Sequence, residues 1–419
     1  MNLDWHRLKA VVLESDDWGL CAWVPDDAAH RALAGQPAFR SVSGQRYGRS
    51  TLESTADVQA LAATLREFRG GDGRAPVWQA NTIVAAPDWT RLVPPFALDA
   101  LPVTGLDAPA SRWRRPGLLE ACAQAGEEGL WWAELHGLHH LPETALLRAL
   151  RAGQPDARAA GEQQSPICAA VEAGGEYDAS EPRQVRARIL REAIARFTVL
   201  FGRAPSSFCP PDYRFDGWLE AEAEALGLST LQGKSEQAGG WKAALERRGF
   251  GPRFPHRAGA RFYLPPRIAF EPRGEAGGGG RVGADAAHRR ARDAWRRGSP
   301  AVISTHRLNY AHLDAPWSAA GRAALRDLLG RLCGDGAVFL TDAEIRSLIE
   351  RGWSARALGT RGTLLRHHGV AREPLRFPAP AGAVAARLAS PGEGEVKVDG
   401  RTAEARVDRG DHVIEWMPA

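Results

Sequence analysis

Three histidines fall within five residues of the stretch LWWAELHGLHHLPE, Leu130 to Glu143. His136 and His140 stand four apart, and His139 sits beside the second. A spacing of four puts two imidazoles on one side of a helical turn, or lets them converge from a curled loop. Zinc commonly takes two histidines and one carboxylate and leaves an open position for water. A polar loop end has the same composition. The stretch therefore carries chemistry only if another part of the chain supplies a third kind of ligand.

Three further segments carry groups that could complete a site. ESDDWG, Glu14 to Gly19, follows a short apolar run. If strand geometry persists there, Asp16 and Asp17 point in different directions, so one can bind a metal while the other faces a substrate. AVISTHRLNYAH, Ala301 to His312, delivers His306 from a buried strand into a polar loop. SFCPPDYRFDGW, Ser207 to Trp218, contains a Pro-Pro pair that imposes an extended, rigid loop between a strand and a helix. Each segment alone has a plain structural reading: a solvated acid pair, a histidine bonded to backbone, a turn.

Their order along the chain resembles the polysaccharide deacetylase superfamily, the carbohydrate esterases of the NodB-homology type. SDDWG is similar to that family's first motif, HGLHH to its second, FCPPDY with the following EAEALGLSTLQ to its third, and VISTH to its last. The resemblance covers roughly residues 8 to 345 and extends to a branch of deacetylase-like bacterial proteins, with FEP and STHRLNY as secondary marks. It implies a distorted (β/α) barrel of the glycoside hydrolase and deacetylase type. It implies Asp16 as catalytic base, Asp17, His136 and His140 as ligands of a divalent metal, most simply zinc, and His306 as general acid. His139 is left as a bystander. The metal would acidify a bound water and polarise the acyl carbonyl. The oxyanion would rest on the metal and on a backbone N–H of the Pro-Pro loop.

The sequence departs from the family pattern in two places. The third motif opens in the family with an arginine that orients the base, and Cys209 stands there instead; Arg214 or Arg267 are candidates to supply the charge. The fourth motif has no clear counterpart, and Glu271 is a further polar candidate. Pro211 belongs to the third-motif loop, and Trp18, Tyr213 and Tyr310 are aromatic candidates for stacking on a sugar. Three functions follow. The first is removal of an acetyl group from an N- or O-acetylated carbohydrate or glycan precursor. The second is sugar binding by a catalytically impaired homologue. The third is glycoside hydrolysis, which needs paired carboxylates about 5–9.5 Å apart, from Asp16 with Asp212, Asp216 or Glu271.

These residues need elements to position them. Ala10 to Leu13 reads as a first buried strand, Pro76 to Val84 as a second and Trp131 to Leu135 as a third, each apolar and bounded by polar or turn residues. Thr55 to Gly70 has apolar residues at helical spacing, with Thr55 as N-cap. Pro182 to Gly202 is an amphipathic helix with proline at its start and glycine at its end. Strands at Ser207 to Cys209, Gly227 to Gln232, Pro300 to Ser304 and Ala337 to Thr341 alternate with helices at 216–226, 284–297 and 321–333. Alternation of this kind predicts an α/β fold with a parallel sheet or barrel over residues 1–355. The functional candidates all follow strands, at what would be the catalytic end of a barrel. The run Arg273 to Gly283 is glycine-rich and reads as a flexible loop. From 362 to 419 the pattern shifts to short alternating runs joined by Gly and Pro turns, which predicts a small β-domain packed on the first.

The chain has 419 residues, 44% hydrophobic and 25% charged, ordinary values for a globular protein. Its formal net charge is +4, carried almost wholly by arginines interspersed with acids; lysine occurs only at Lys9, Lys234, Lys242 and Lys397. That arginine, alanine and glycine usage suggests a GC-rich bacterial gene. No basic stripe with interleaved aromatics points to nucleic acid. No apolar run of about 18 residues points to a membrane span, and the N-terminus lacks a signal-peptide pattern, so a cytoplasmic location is expected. The five cysteines show no C-x-x-C spacing, which argues against a disulfide framework. Oligomeric state is open.

Overall fold

The apolar run that begins at Ala10 does not stop at Leu13. It continues as a nine-residue strand, β1 (Ala10–Trp18), with Asp16 and Asp17 inside it. The computed structural model describes residues 3–172, 174–214, 216–233, 254–273, 281–389 and 394–418. Residues 274–280, most of the glycine-rich run expected to be a flexible loop, lie outside the described residues. The other strands of the first part are β2 (Trp78–Ile83), β3 (Ala85–Pro87), β4 (Val103–Gly105), β5 (Trp131–Gly137), β6 (Thr230–Leu231), β7 (His256–Ala258), β8 (Arg261–Tyr263), β9 (Ile268–Ala269), β10 (Ala301–His306) and β11 (Val338–Phe339).

The central sheet has the order β5-β2-β1-β10-β9, with β11 also paired to the start of β1. Every one of these pairings is parallel. Parallel strands are covered on both faces, so their residues read as unbroken apolar runs, as Ala10–Leu13 and Ala301–Ile303 do. Single parallel bridges extend the sheet from Leu135 to Phe208 and from Phe208 to Leu231. Beyond these, β6 pairs in parallel with β8. Among the described residues no ladder joins β8 to β9, so the paired strands describe an arc around the parallel central sheet of this mixed α/β fold.

Helices cover the arc. The helix Thr55–Arg66 is capped one residue earlier than expected: Ser54 and Asp57 form a reciprocal capping box, while the Thr55 hydroxyl donates to the Pro116 carbonyl. The helix Arg183–Phe201 ends at Gly202, whose φ of 65° closes it in the left-handed region. Its Ile189, Leu190, Ala193 and Phe197 pack with Ala133, Leu135 and Phe208. The helix Ala284–Arg296 lays Ala287, Ala291, Ala294 and Trp295 against Ile268 and Ile303. Small alanines at that spacing let the helix approach the sheet closely.

From Trp353 onward the chain forms two antiparallel sheets. One is β12 (Trp353–Leu358), β13 (Gly362–His367), β18 (Gly410–Pro418) and β15 (Ala383–Leu388), and the other β14 (Leu375–Pro378), β17 (Thr402–Val407) and β16 (Gly394–Asp399). Leu365, Leu375, Phe377, Ala403, Ala405, Val407, Ile414 and Trp416 form their shared core. The sheet begins ahead of the expected boundary at 362, because β12 pairs with β13 along its length. Buried ion pairs tie this part to the first: Arg366 reaches Asp72 at 2.8 Å and Glu344 at 3.2 Å, and Arg356 reaches Glu344 at 3.1 Å.

Candidate active site

The polar candidates gather at the carboxyl ends of the parallel strands, and two irregularities aim them. Between Ser15 and Trp18 the register of β1 against β2 shifts, so Asp16 and Asp17 together oppose Asn81. Such a bulge bends a strand and re-aims its side chains. Asp17 takes a φ of 72°, so strand geometry fails at this residue, and its carboxylate turns toward the histidines. Gly19 follows at φ 77°, where an added Cβ would lie 2.3 Å from the Ile83 carbonyl oxygen. A second shift, opposite Ile83, isolates His136 between Leu135 and Gly137 on β5. His140 has a φ of 63°. Left-handed backbone at a non-glycine residue costs roughly 1–3 kcal/mol and tends to persist where function requires it.

His136 Nε2 lies 3.4 Å and His140 Nε2 3.6 Å from the same Asp17 oxygen, Oδ1. His136 donates from Nδ1 to the Cys209 carbonyl at 2.7 Å, which fixes the ring with Nε2 directed at Asp17. Two imidazole nitrogens and one carboxylate oxygen thus lie within 4.8 Å of one another, a donor set that suits zinc. Burial opposes ionisation of Asp17, but the His136 hydrogen bond and the nearby His140 and His306 hold it well below the usual carboxylate range. Asp16, His136 and Cys209 form a second triplet of similar size. It suits a cation less well, because burial pushes the Cys209 thiol up to about 11 and Asp16 is committed elsewhere.

His139 is not part of this set. Its side chain is fully buried, 3.6 Å from Glu143 and 3.7 Å from Glu176, and its Nδ1 accepts the Leu141 N–H. Glu176 organises the whole loop: its two oxygens accept the backbone N–H groups of Leu138, His139 and His140. Gly137 permits this, since a Cβ there would sit 3.0 Å from the same carboxylate. No local motif marked Glu176 in the sequence.

Of the two arginines expected near the base, Arg267, just before β9, reaches Asp16. Its Nη1 and Nη2 donate to the two oxygens of Asp16 at 2.6 and 2.9 Å, a bidentate pair. The remaining donors reach Glu14, the Tyr213 hydroxyl, Gln232 and Ser304. Asn81 adds a third hydrogen bond to Asp16 at 2.7 Å. Burial would raise the Asp16 pKa, but the Arg267 charge overrides it and keeps the carboxyl well below its ordinary value. Arg214 is exposed and pairs with Asp178 at 3.4 Å.

His306, at the end of β10, places Nε2 4.0 Å from Asp16 Oδ2 and donates from Nδ1 to Glu271 at 2.5 Å. Arg46 and Asn309 hold the other Glu271 oxygen at 3.3 and 2.8 Å. Burial works against a charged imidazole here, but the Glu271 carboxylate outweighs it and raises His306 to about 9.

The remaining candidates divide. Tyr213 is half-buried and reaches the site through its hydroxyl on Arg267. Pro211 is buried, and its Cγ lies against Gly137. Trp18 and Tyr310 are core residues, 1% and 0% exposed. Trp18 packs edge-on against Trp131 at 4.7 Å, and Tyr310 against Trp78 at 5.1 Å. Neither has a face free for a sugar. Such aromatic pairs contribute about 0.5–1.5 kcal/mol each beyond burial.

No family model and no curated protein matches the sequence. Solved structures similar to this one include a candidate polysaccharide deacetylase from Mycobacterium smegmatis, 15% identical, covering 82% of this chain and 90% of that one, with a TM-score of 0.40. The Xyl-CE4 domain of a multidomain xylanase from the hindgut metagenome of Trinervitermes trinervoides is 9% identical over 83% of this chain and 93% of that one, TM-score 0.34. An alpha-fucosidase from Thermotoga maritima is 11% identical over 100% of this chain and 97% of that one, TM-score 0.32. These are loose overlays, and the functional reading rests on the side chains.

Proposed function

We propose that the protein is a metal-dependent hydrolase that removes an acetyl or related acyl group from the nitrogen or oxygen of a carbohydrate. The observation that carries this reading is the pairing of an arginine-clamped carboxylate with a carboxylate-held imidazole, Asp16 and His306, 4.0 Å apart beside three convergent metal donors. Asp17, His136 and His140 would hold the divalent cation. Bound there, it would supply an acidified water and a polarised carbonyl.

The chain's own groups account for the proton movements. Asp16 stays ionised and accepts the proton of the attacking water. A carboxylate held this acidic is a weak base, so it depends on a water that is itself acidified. Arg267 keeps both Asp16 oxygens in one orientation, which favours the proton transfer by pre-setting its geometry. His306, with Nδ1–H on Glu271, presents Nε2–H to the leaving amine or alkoxide. A developing oxyanion also needs an N–H donor. Between Cys209 and Arg214, the N–H groups of Cys209, Tyr213 and Arg214 are engaged and the two prolines have none. That leaves Asp212 as the donor in the loop among the described residues.

The glycoside hydrolase alternative has less support, since it needs a carboxylic acid free to donate a proton. Asp16 is clamped by Arg267, Glu271 is taken by His306, Arg46 and Asn309, and Asp216 caps the helix Gly217–Ala225 and pairs with Arg186, so of the named candidates the exposed Asp212 would have to act alone. The feature favouring a purely binding role is Cys209; the Arg267 clamp on Asp16 supports the hydrolase reading instead. Elemental analysis followed by an acetate-release assay on N- and O-acetylated sugars tests the reading. One equivalent of divalent metal and chelator-sensitive acetate release are expected. Release of reducing sugar without acetate would overturn it.

A further inference from the structure

Behind Asp16 lies a second acid pair that the proton movements above do not use. Glu14 precedes Asp16 by two residues on β1 and is fully buried. Its Oε2 accepts the Nε–H of Arg267. Its Oε1 is buried with no donor in reach. The Glu14 carboxyl lies in contact with that of Asp342, at the start of the helix Asp342–Arg351. Asp342 is also fully buried; its Oδ2 accepts from Gln79 and Ser207, each at 2.7 Å, and its Oδ1 has no donor.

Two buried carboxylates in contact cannot both ionise without severe repulsion. Leaving two buried acceptor oxygens unsatisfied costs further free energy. One proton between Oε1 and Oδ1 removes both problems. The surrounding charges agree. Arg267 is the cation facing Glu14, and it already balances Asp16. Glu134 faces Asp342 from β5 and is answered by the N–H groups of Ser206 and Ser207, by Trp132 and by Arg203 at 3.6 Å. No second cation offsets the pair among the described residues.

We propose that Glu14 and Asp342 share one proton at neutral pH, and that this singly ionised pair is the seat that fixes Arg267, making both acids positioning residues for Asp16. The positioning role rests on the reading of Asp16 as base; the shared proton does not.

Infrared difference spectra of the metal-free full-length protein test the proton. A protonated-carboxyl C=O band at neutral pH is expected, and it should vanish in Glu14→Gln and in Asp342→Asn. Either amide replaces the shared proton by an N–H, so both variants should fold, whereas the double variant sets amide against amide and should lower the Tm beyond the sum of the singles. Absence of the band in the parent overturns the proposal. The seat is tested by the Arg267 Nε–H NMR resonance, assigned by its loss in Arg267→Lys. Glu14→Leu should abolish its protection from exchange, and Glu14→Gln should keep it. On an acylated sugar that is turned over, Glu14→Leu should lower kcat by about 10–100-fold with KM little changed, and Glu14→Gln should recover most of that loss. An unprotected Nε–H in the parent, or full kcat in Glu14→Leu, overturns the positioning role. If the parent releases no acetate, the reading of the reaction has failed, while the band and the resonance still decide the pair and its seat.

Discussion

Glu271→Gln isolates what makes His306 an acid. In the parent, the Glu271 carboxylate lies 2.5 Å from His306 Nδ1, and the imidazole rises from 6.5 to about 9 although burial pushes the other way. A rise of that size corresponds to about 3 kcal/mol of preference for the charged imidazole. The glutamine amide can still fill the space but carries no charge. Burial is then opposed only by the more distant Asp17 and Asp16, and His306 should titrate below about 9. At pH 8 the parent is mostly protonated, while the variant would hold a smaller share of the acid form. The assay is kcat/KM for acetate release against pH, with metal loading matched because a nearby cation also disfavours the charged imidazole. The parent should lose activity as pH rises through about 9. In the variant this limb should move to lower pH, by about one unit or more. Stability follows the same sign. Because the folded-state pKa is raised, the stabilisation is full below about 6.5 and is lost as pH rises through about 9. Thermal melts of the metal-free parent should therefore weaken across that window, and those of the variant should not. A basic limb that stays in place in Glu271→Gln would refute the coupling of Glu271 to His306.

Three other outcomes are expected. His136→Ala and His140→Ala should each abolish metal uptake in elemental analysis, and His139→Ala should keep the metal while costing stability; the reverse pattern would reassign the ligands. Arg267→Lys retains a charge but cannot span both Asp16 oxygens, so kcat should fall about 100-fold with metal content unchanged, and an unaltered kcat would remove Arg267 from the site. Glu176→Ala leaves three loop N–H groups without their acceptor, and should lower metal affinity by about 10–100-fold in a competition titration; unchanged affinity would show that the loop holds its shape without it.

The local elements were legible because their cause is local. Apolar runs bounded by polar residues gave strands at β1, β2, β5 and β10, and periodicity with Pro and Gly at the ends gave the helix Arg183–Phe201. The order of Asp-Asp, His-x-x-x-His and a strand-borne histidine nominated the metal donors through its resemblance to the deacetylase motifs, not through any one segment alone. The aromatic candidates Trp18 and Tyr310 misled for a physical reason. A tryptophan next to an acid pair reads the same whether it lines a cleft or fills the sheet's covering layer, and only packing against Trp131 and Trp78 separates the two.

What the sequence determined by itself was the inventory: parallel strands, flanking helices, a terminal β-rich part, and the types and order of the reactive groups. The tertiary structure decided the partnerships. Arg267 reaches Asp16 across 251 residues of sequence, Glu271 holds His306 across 35, and Glu176 binds a loop 36 to 38 residues before it. Such contacts join residues from different strand ends, where spacing along the chain has no fixed relation to distance in space. The turn of Asp17 toward the histidines has the same origin: it depends on a register shift against β2, a neighbour more than 60 residues away that no local pattern around Asp17 records.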